Sequence, residues 1–368
     1  MRSVKLGKLF GVKVELHSTF VWLGILVAAL LALFQPENFL PIMILLFLLF
    51  LSVFFHELVH SLVAMQKGCK VEKIILLPIG GLSVSEELPE KPMDEFQIAV
   101  AGPLFNFVIV AAIIALASIV KLPFPENWLS VFVSSPIEFE EMLLSYPLLG
   151  LFYVNLLLGA FNLFLPALPL DGGRVARSIL ASVVGFGRAT LIITRLSVFF
   201  AIFLFMFGFF TGSILIAIIA VFIYFGAKQE QETAAIKQAL EGQNIKALVN
   251  RKPFSVKGTD SIEKAAGLME KRNELYFLAR LEKGGFGFID IDAVAAVGED
   301  KWKQTTVEKA CKKLKPAKEG EEAGELAVKM LGKGIPLLPV SRNGKFAGII
   351  EARELRKRFE LEKALKKN

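Results

Sequence analysis

Residues Phe54-Phe55-His56-Glu57-Leu58-Val59-His60 stand at the end of a long apolar run, Leu40 to Phe55, that carries no charged side chain. A membrane-spanning helix needs about 20 mostly apolar residues, and the run with its polar end has that length. On a helix, positions i and i+4 share a face, so the imidazoles of His56 and His60 can reach one metal ion. Glu57 projects close by, where its carboxylate can serve as general base toward a water at the metal. Ionisable groups inside a span are costly, and three in five residues are hard to explain as helix packing alone. The chain has 3 histidines, and two of them fall in this pattern.

A catalytic zinc commonly takes three protein ligands and keeps one position open. The third must come from elsewhere. His17, at the start of the first apolar run, is one candidate. The better one is Asp171, in Phe161-Asn162-Leu163-Phe164-Leu165-Pro166-Ala167-Leu168-Pro169-Leu170-Asp171-Gly172-Gly173-Arg174. The prolines break the preceding helix and the paired glycines let the backbone turn tightly. With spans alternating in direction, Asp171 comes to the depth of His60.

The rest of the chain supports a membrane setting. Of 368 residues, 54% are hydrophobic, with 33 Phe against 4 Tyr and 3 Trp, and the mean hydropathy is +0.56. Six apolar stretches are expected to span, at about 18–34, 40–65, 97–120, 146–166, 189–207 and 212–227, the last two divided at Gly208 to Ser213. The first 17 residues carry Arg2, Lys5, Lys8 and Lys13 and lack the apolar core and cleavage site of a signal peptide. With the N-terminus in the cytoplasm, the inner loops hold eleven Lys and Arg up to Arg188, and the outer loops hold only Lys121. Both termini and the active centre are therefore expected on the cytoplasmic side of the cell membrane. Both cysteines, Cys69 and Cys311, fall on that reducing side, without a disulfide framework. The net charge of +7 follows from this loop bias and does not call for nucleic acid. Ile74 to Glu95 is β-branched, glycine-rich and too short to span, as expected of a strand pair or re-entrant piece beside the bilayer.

Composition shifts at about Ala227. Residues 1–227 form the expected membrane domain, 228–247 a polar linker helix, and 248–368 a soluble domain of two weak β-α-β copies. The copies run from about Leu248 to Val297 and from Trp302 to Arg358. Asn343-Gly344 in the second and Gly284-Gly285 in the first mark hairpin turns in corresponding places. The fold class is thus an α-helical polytopic membrane protein with six spans and a small β element, followed by an α/β tandem.

These residues carry a resemblance. The chain resembles the site-2 protease family of intramembrane zinc metalloproteases over about residues 8–227. The family's marks are H-E-x-x-H in one span, A-G-P-x-x-N after it and N-x-x-P-x-x-P-L-D-G-G at the end of a later span. Here they are His56 to His60, Ala101 to Asn106 and Asn162 to Gly173. The resemblance implies one zinc ion on His56, His60 and Asp171, with Glu57 activating water. It implies that Asn162 positions substrate or steadies the oxyanion, and that Asn106, Gly80 and Gly81 lie beside substrate, a transmembrane protein. The chain has one residue more between Asn162 and Pro166 than the family pattern, which turns Asn162 by about 100° on a helix. Asn106 and Asn155 also read as a polar clasp between helices. The C-terminal copies resemble a pair of CBS modules, which implies binding of an adenine nucleotide or pairing into a homodimer. Glu351, Glu354 and Asp290 stand near the places where that family contacts phosphate and ribose, and acids repel phosphate. A CBS-tailed transporter and a non-catalytic, membrane-protein-binding relative are the alternatives.

Overall fold

The computed structural model describes residues 3–77, 80–85, 91–120, 142–282 and 284–365. It divides into two compact units, Met1–Gln231 and Glu232–Asn368.

The first unit opens with a sheet. Strands β1 (Ser3–Leu9) and β2 (Val12–His17) form an antiparallel hairpin, β3 (Val71–Leu77) lies parallel to β2, and β4 (Gly80–Ser85) returns antiparallel to β3. The sheet order is β1-β2-β3-β4. Alternation in β2 sends Val12, Val14 and Leu16 to one face. Val12, Ile74 and Leu76 of that face are buried, with Leu16, against Phe54, Leu58 and Leu62, a stripe at helical spacing on one side of a single helix. The expected strand pair in Ile74 to Glu95 is β3 with β4. The hairpin before it goes beyond that expectation; in sequence its residues read as a basic N-terminal segment.

Among the described residues, seven α-helices of 14 residues or more begin in this unit after the hairpin: α1 (Ser18–Phe34), α2 (Phe39–Gln66), α3 (Pro92–Val120), α4 (Pro147–Phe164), α5 (Asp171–Val184), α6 (Phe186–Thr211) and α7 (Ile214–Ala239). Five helical segments, Pro36–Gln66 and α3, α4, α6 and α7, are long and apolar enough to cross a membrane; α1, with 17 residues, is a shorter apolar helix. Many large side chains along them are exposed, among them Phe47, Phe203 and Phe210, as lipid-facing positions are. Gly212, in the left-handed region at φ +69°, ends α6 inside the expected turn. The linker expected at 228–247 is largely not separate. Residues 228–239 continue α7, because Lys, Gln, Glu and Ala favour the helix and no Gly or Pro intervenes.

Two features hold the helices in place. Val110 and Ile113 of α3 pack on Leu149, Phe152 and Tyr153 of α4, and Asn155 of α4 donates to Ser52 Oγ of α2 at 3.0 Å, the clasp expected of it. The segment 165–170 packs between α6 and α7, with Ala167 and Leu168 buried. Ala167 packs with Ala201 and Ile223, Leu168 with Ile193 and Ala227, and the Leu168 N–H donates to Ser197 Oγ at 2.8 Å.

In the second unit each copy repeats one pattern: a short strand, a helix, then a hairpin whose first strand lies parallel to the short one. The first copy is β5 (Ser255–Lys257), α8 (Ile262–Arg272), β6 (Tyr276–Arg280) and β7 (Phe286–Asp290), with β8 (Lys312–Leu314) added beside β7. The second is β9 (Ala317–Lys318), α9 (Ala323–Gly332), β10 (Leu337–Arg342) and β11 (Lys345–Glu351), closed by α10 (Ala352–Leu365). Asn343 and Gly344 turn the second hairpin with φ of +50° and +76°.

Ser197→Ala is expected to destabilise the protein by about 1–3 kcal/mol, the cost of a buried N–H left without an acceptor. A lowered thermal unfolding midpoint of the detergent-solubilised protein, relative to wild type, checks it.

Candidate metal centre

Three side chains from distant parts of the chain meet inside the first unit. His56 and His60 lie one turn apart on α2, and Asp171 is the first residue of α5; all three are buried. His56 Nε2 and His60 Nε2 are 3.1 Å apart, and each is 3.1 Å from Asp171 Oδ2. Among the described residues this is the one group of three or more His, Cys, Asp and Glu so arranged.

The outer nitrogens are tied back. His56 Nδ1 is 2.8 Å from Asn106 Oδ1, and His60 Nδ1 is 2.6 Å from the Ile98 carbonyl. Both partners accept, so each Nδ1 carries the proton and each Nε2 presents a lone pair. The three inward atoms therefore face one another as acceptors. In tetrahedral zinc sites with bonds of about 2.0–2.1 Å, ligand atoms stand roughly 3.3 Å apart. The donor set, its spacing and its backing carbonyl groups fit a zinc ion.

Helix α3 makes this possible. Ile98, Gly102 and Asn106 form one stripe along it. Pro103, inside the helix, has no N–H for the Ala99 carbonyl, and the carbonyl of Ile98, one residue earlier, meets His60. A Cβ on Gly102 would fall on His60 Nε2 and come within 2.8 Å of His56 Nε2. Glycine at 102 keeps the space that the metal needs. Gly172 and Gly173 serve Asp171 in the same way, since a Cβ on either would strike the backbone of Leu163, Leu165 or Ala167. The helix can therefore begin at Asp171, immediately beneath the 165–170 segment.

Glu57 is half-buried, and its side chain makes no hydrogen bond or ion pair with a described residue, so its carboxylate is uncommitted. Arg174 Nη1 stands 4.0 Å from the outer oxygen of Asp171.

The structure disperses the other sequence-predicted residues. His17 is not in the group; its Nδ1 accepts from Thr19 N and caps α1. Asn106, expected beside substrate or in a polar clasp between helices, is fully buried with its oxygen on His56, and its Nδ2 has no hydrogen-bond partner among the described residues. Asn162 lies in the last turn of α4, half-buried, with no hydrogen bond to a described residue. Gly80 and Gly81 begin β4, paired through their backbone to Leu77 and Leu76 of β3. The Ile98 carbonyl is beyond sequence reasoning, since a backbone atom leaves no mark in the residue letters.

The family model for Peptidase family M50 matches residues 43–206. A zinc metalloprotease of Methanocaldococcus jannaschii is 30% identical over 354 residues, covering 96% of this chain and 95% of that one. The chain belongs to peptidase family M50. It is a multi-pass, intramembrane zinc metalloprotease of the site-2 type, acting on membrane proteins. The solved site-2 protease of Methanocaldococcus jannaschii is 35% identical, covers 62% of this protease and 95% of its own chain, and has a TM-score of 0.46. A solved CBS domain pair, in complex with 5'-methylthioadenosine and S-adenosyl-L-methionine, is 23% identical over 33% of the protease and 98% of its own chain, with a TM-score of 0.29.

Gly102→Ala is expected to abolish stoichiometric zinc in the purified protease while the protein still folds. Elemental analysis of folded, detergent-solubilised variant beside wild type checks it.

Proposed function

We propose that His56, His60 and Asp171 hold the catalytic zinc of this protease and that Glu57 is its general base. The observation that carries the reading is the 3.1 Å triangle of inward-facing lone pairs, with both Nδ1 atoms tied back. Zinc supplies a Lewis acid that makes water a competent nucleophile near neutral pH. The rest of the work falls to the chain. The Asn106 oxygen and the Ile98 carbonyl hold the two rings in the orientation and tautomer the site requires. Glu57 takes the proton of the attacking water and delivers it to the leaving amine. With no side-chain hydrogen bond or ion pair to a described residue, it is available for both transfers. A binding-only relative has no use for such a carboxylate.

A transmembrane helix hides its peptide bonds, so substrate must be drawn out into an extended form before it can be cut. Among the described strands β4 is at the edge of its sheet, and an edge strand offers backbone groups for β-augmentation, with Gly80 and Gly81 at its start. Asn162 sits at the end of α4, one turn before the proline-rich segment, where a side-chain amide serves to position substrate. The excess of basic residues on one set of loops supports a cytoplasmic active site and cytoplasmic termini.

For the second unit we infer a regulatory role, through an adenine nucleotide or through pairing of two copies. Its repeat architecture and its likeness in sequence to CBS modules support this. A groove of about 870 Å³ beside α8 is not the nucleotide site, because Glu263, Glu270, Glu274 and Glu299 line it and repel phosphate. Calorimetric titration of the full chain with ATP and AMP separates the two roles: heat supports sensing, and its absence together with a dimeric mass supports pairing.

Glu57→Gln is expected to lower cleavage of a transmembrane reporter by about 10³-fold, the scale of a lost general base, with zinc content unchanged. Asp171→Ala is expected to lose both zinc and cleavage. Elemental analysis paired with a proteoliposome cleavage assay decides; robust cleavage by the Gln variant, or full zinc in the Ala variant, defeats the assignment.

A further inference from the structure

The outer atom of each proposed zinc ligand needs a fixed partner, and for the two imidazoles α3 supplies it. Asp171 also has an arm that leads to α3, through charged groups that the hydrolytic steps do not use. Glu95, in the first turn of α3, is 2% exposed, and Arg177 of α5 is 4% exposed. Arg177 donates to Glu95 Oε1 through Nε, at 3.1 Å, and through Nη2. Its Nη1 donates to Glu230 of α7 at 2.8 Å. Arg174, whose Nη1 stands 4.0 Å from Asp171 Oδ1, has its Nε 3.8 Å from Glu95 Oε1. One carboxylate oxygen thus gathers both arginines of the helix that begins at Asp171.

We propose that Glu95 is a positioning residue for the third metal ligand, holding Arg174 and Arg177 so that Asp171 turns Oδ2 toward the two imidazoles and Oδ1 toward Arg174. The inference rests on the assignment of His56, His60 and Asp171 as ligands. Its physical basis is simple. Gly172 and Gly173 give Asp171 close backbone packing but no side-chain anchor of their own. The next anchors along α5 are Arg174, one turn on, and Arg177, two turns on. Buried ions keep their geometry because removing one partner leaves the other charge uncompensated. Glu95 also stands one turn before Ile98 and two before Gly102, so the stripe Glu95, Ile98, Gly102, Asn106 reaches all three ligands from one rigid helix. Outer-shell partners of this kind change metal affinity by about 10- to 100-fold when removed.

The test uses full-length protein in detergent, the variants Glu95→Gln and Glu230→Gln, and Asp171→Ala as control. Zinc affinity is read by competition with a chromophoric chelator, and ligand geometry by the visible bands of the cobalt-substituted protein. Glu95→Gln is expected to weaken zinc by about 10- to 100-fold and to shift the cobalt bands. Glu230→Gln is expected to act in the same direction by a smaller factor, since Arg177 keeps Glu95. A merely structural ion pair would lower the unfolding temperature and leave both metal readouts unchanged, and that result in folded Glu95→Gln overturns the proposal. If Glu95→Gln does not fold, Glu230→Gln decides by the same readouts. Undiminished zinc in Asp171→Ala sinks the ligand assignment itself; loss there with unaltered Glu95→Gln sinks the role of Glu95 alone.

Discussion

Three lone-pair-bearing atoms held 3.1 Å from one another inside a protein repel, and burial removes the water that would screen them. A cation between its members relieves that repulsion, as the proposed zinc would, and several elements of the membrane unit meet at this point. Helix α2 contributes two of the atoms through its period alone. The third arrives from the far side of the sequence, carried by a short helix whose start is wedged under the 165–170 segment. That segment in turn packs between α6 and α7. The proposed metal centre is therefore the point where packing in most of the first unit is registered.

The bilayer raises the stakes of every polar contact here. Unpaired polar groups cost more in lipid than in water, so each hydrogen bond made within the cluster of imidazole, carboxylate and guanidinium groups counts, although Glu95 Oε2 and Asn106 Nδ2 make none among the described residues. Asn106, the Ile98 carbonyl, Glu95 and Glu230 supply the partners. Glu57 makes no side-chain hydrogen bond or ion pair with a described residue, and its proposed use is that of general base. The same logic explains the sheet. Its apolar face covers the flank of α2 that carries Phe54, Leu58 and Leu62, and the proposed docking of substrate on β4 would put the backbone groups of that edge to use.

Sequence letters disclose features set by a repeat or by a single residue type. His56, Glu57 and His60 are legible because helical spacing fixes their common face, and Asp171 because Pro-Leu-Asp-Gly-Gly has few other uses after a span. The apolar runs and the two Gly-containing hairpin turns of the tandem are legible for the same reason. Relations between distant residues stay hidden. Glu95 reads as an ordinary acid in a helix's first turn, and nothing in the letters ties it to Arg177, 82 residues later. The resemblance puts Asn106 beside substrate and its own residue type reads as a polar clasp between helices; in the fold its oxygen does meet a ring on another helix, but the letters do not say that the ring is His56. Gly102 marks the family, but its reason is the missing Cβ, which emerges only once three helices are packed together. The alternation Val12, Val14, Leu16 does announce a strand, yet the lysines around it give the segment the look of a basic tail. Asp171 opens a 14-residue helix too polar and short to register against the spans on either side.

The distance along the chain between the proposed ligands also bears on how the enzyme comes into being. His56 and Asp171 are 115 residues apart, and ribosomes add about 5–20 residues each second. Roughly ten seconds therefore separate the entry of the two imidazoles into the membrane from that of the carboxylate that completes them. On the proposed assignment, a chain whose synthesis has not reached Asp171 holds only two of the three ligands, so a complete metal centre waits for the later segment to be made and to dock.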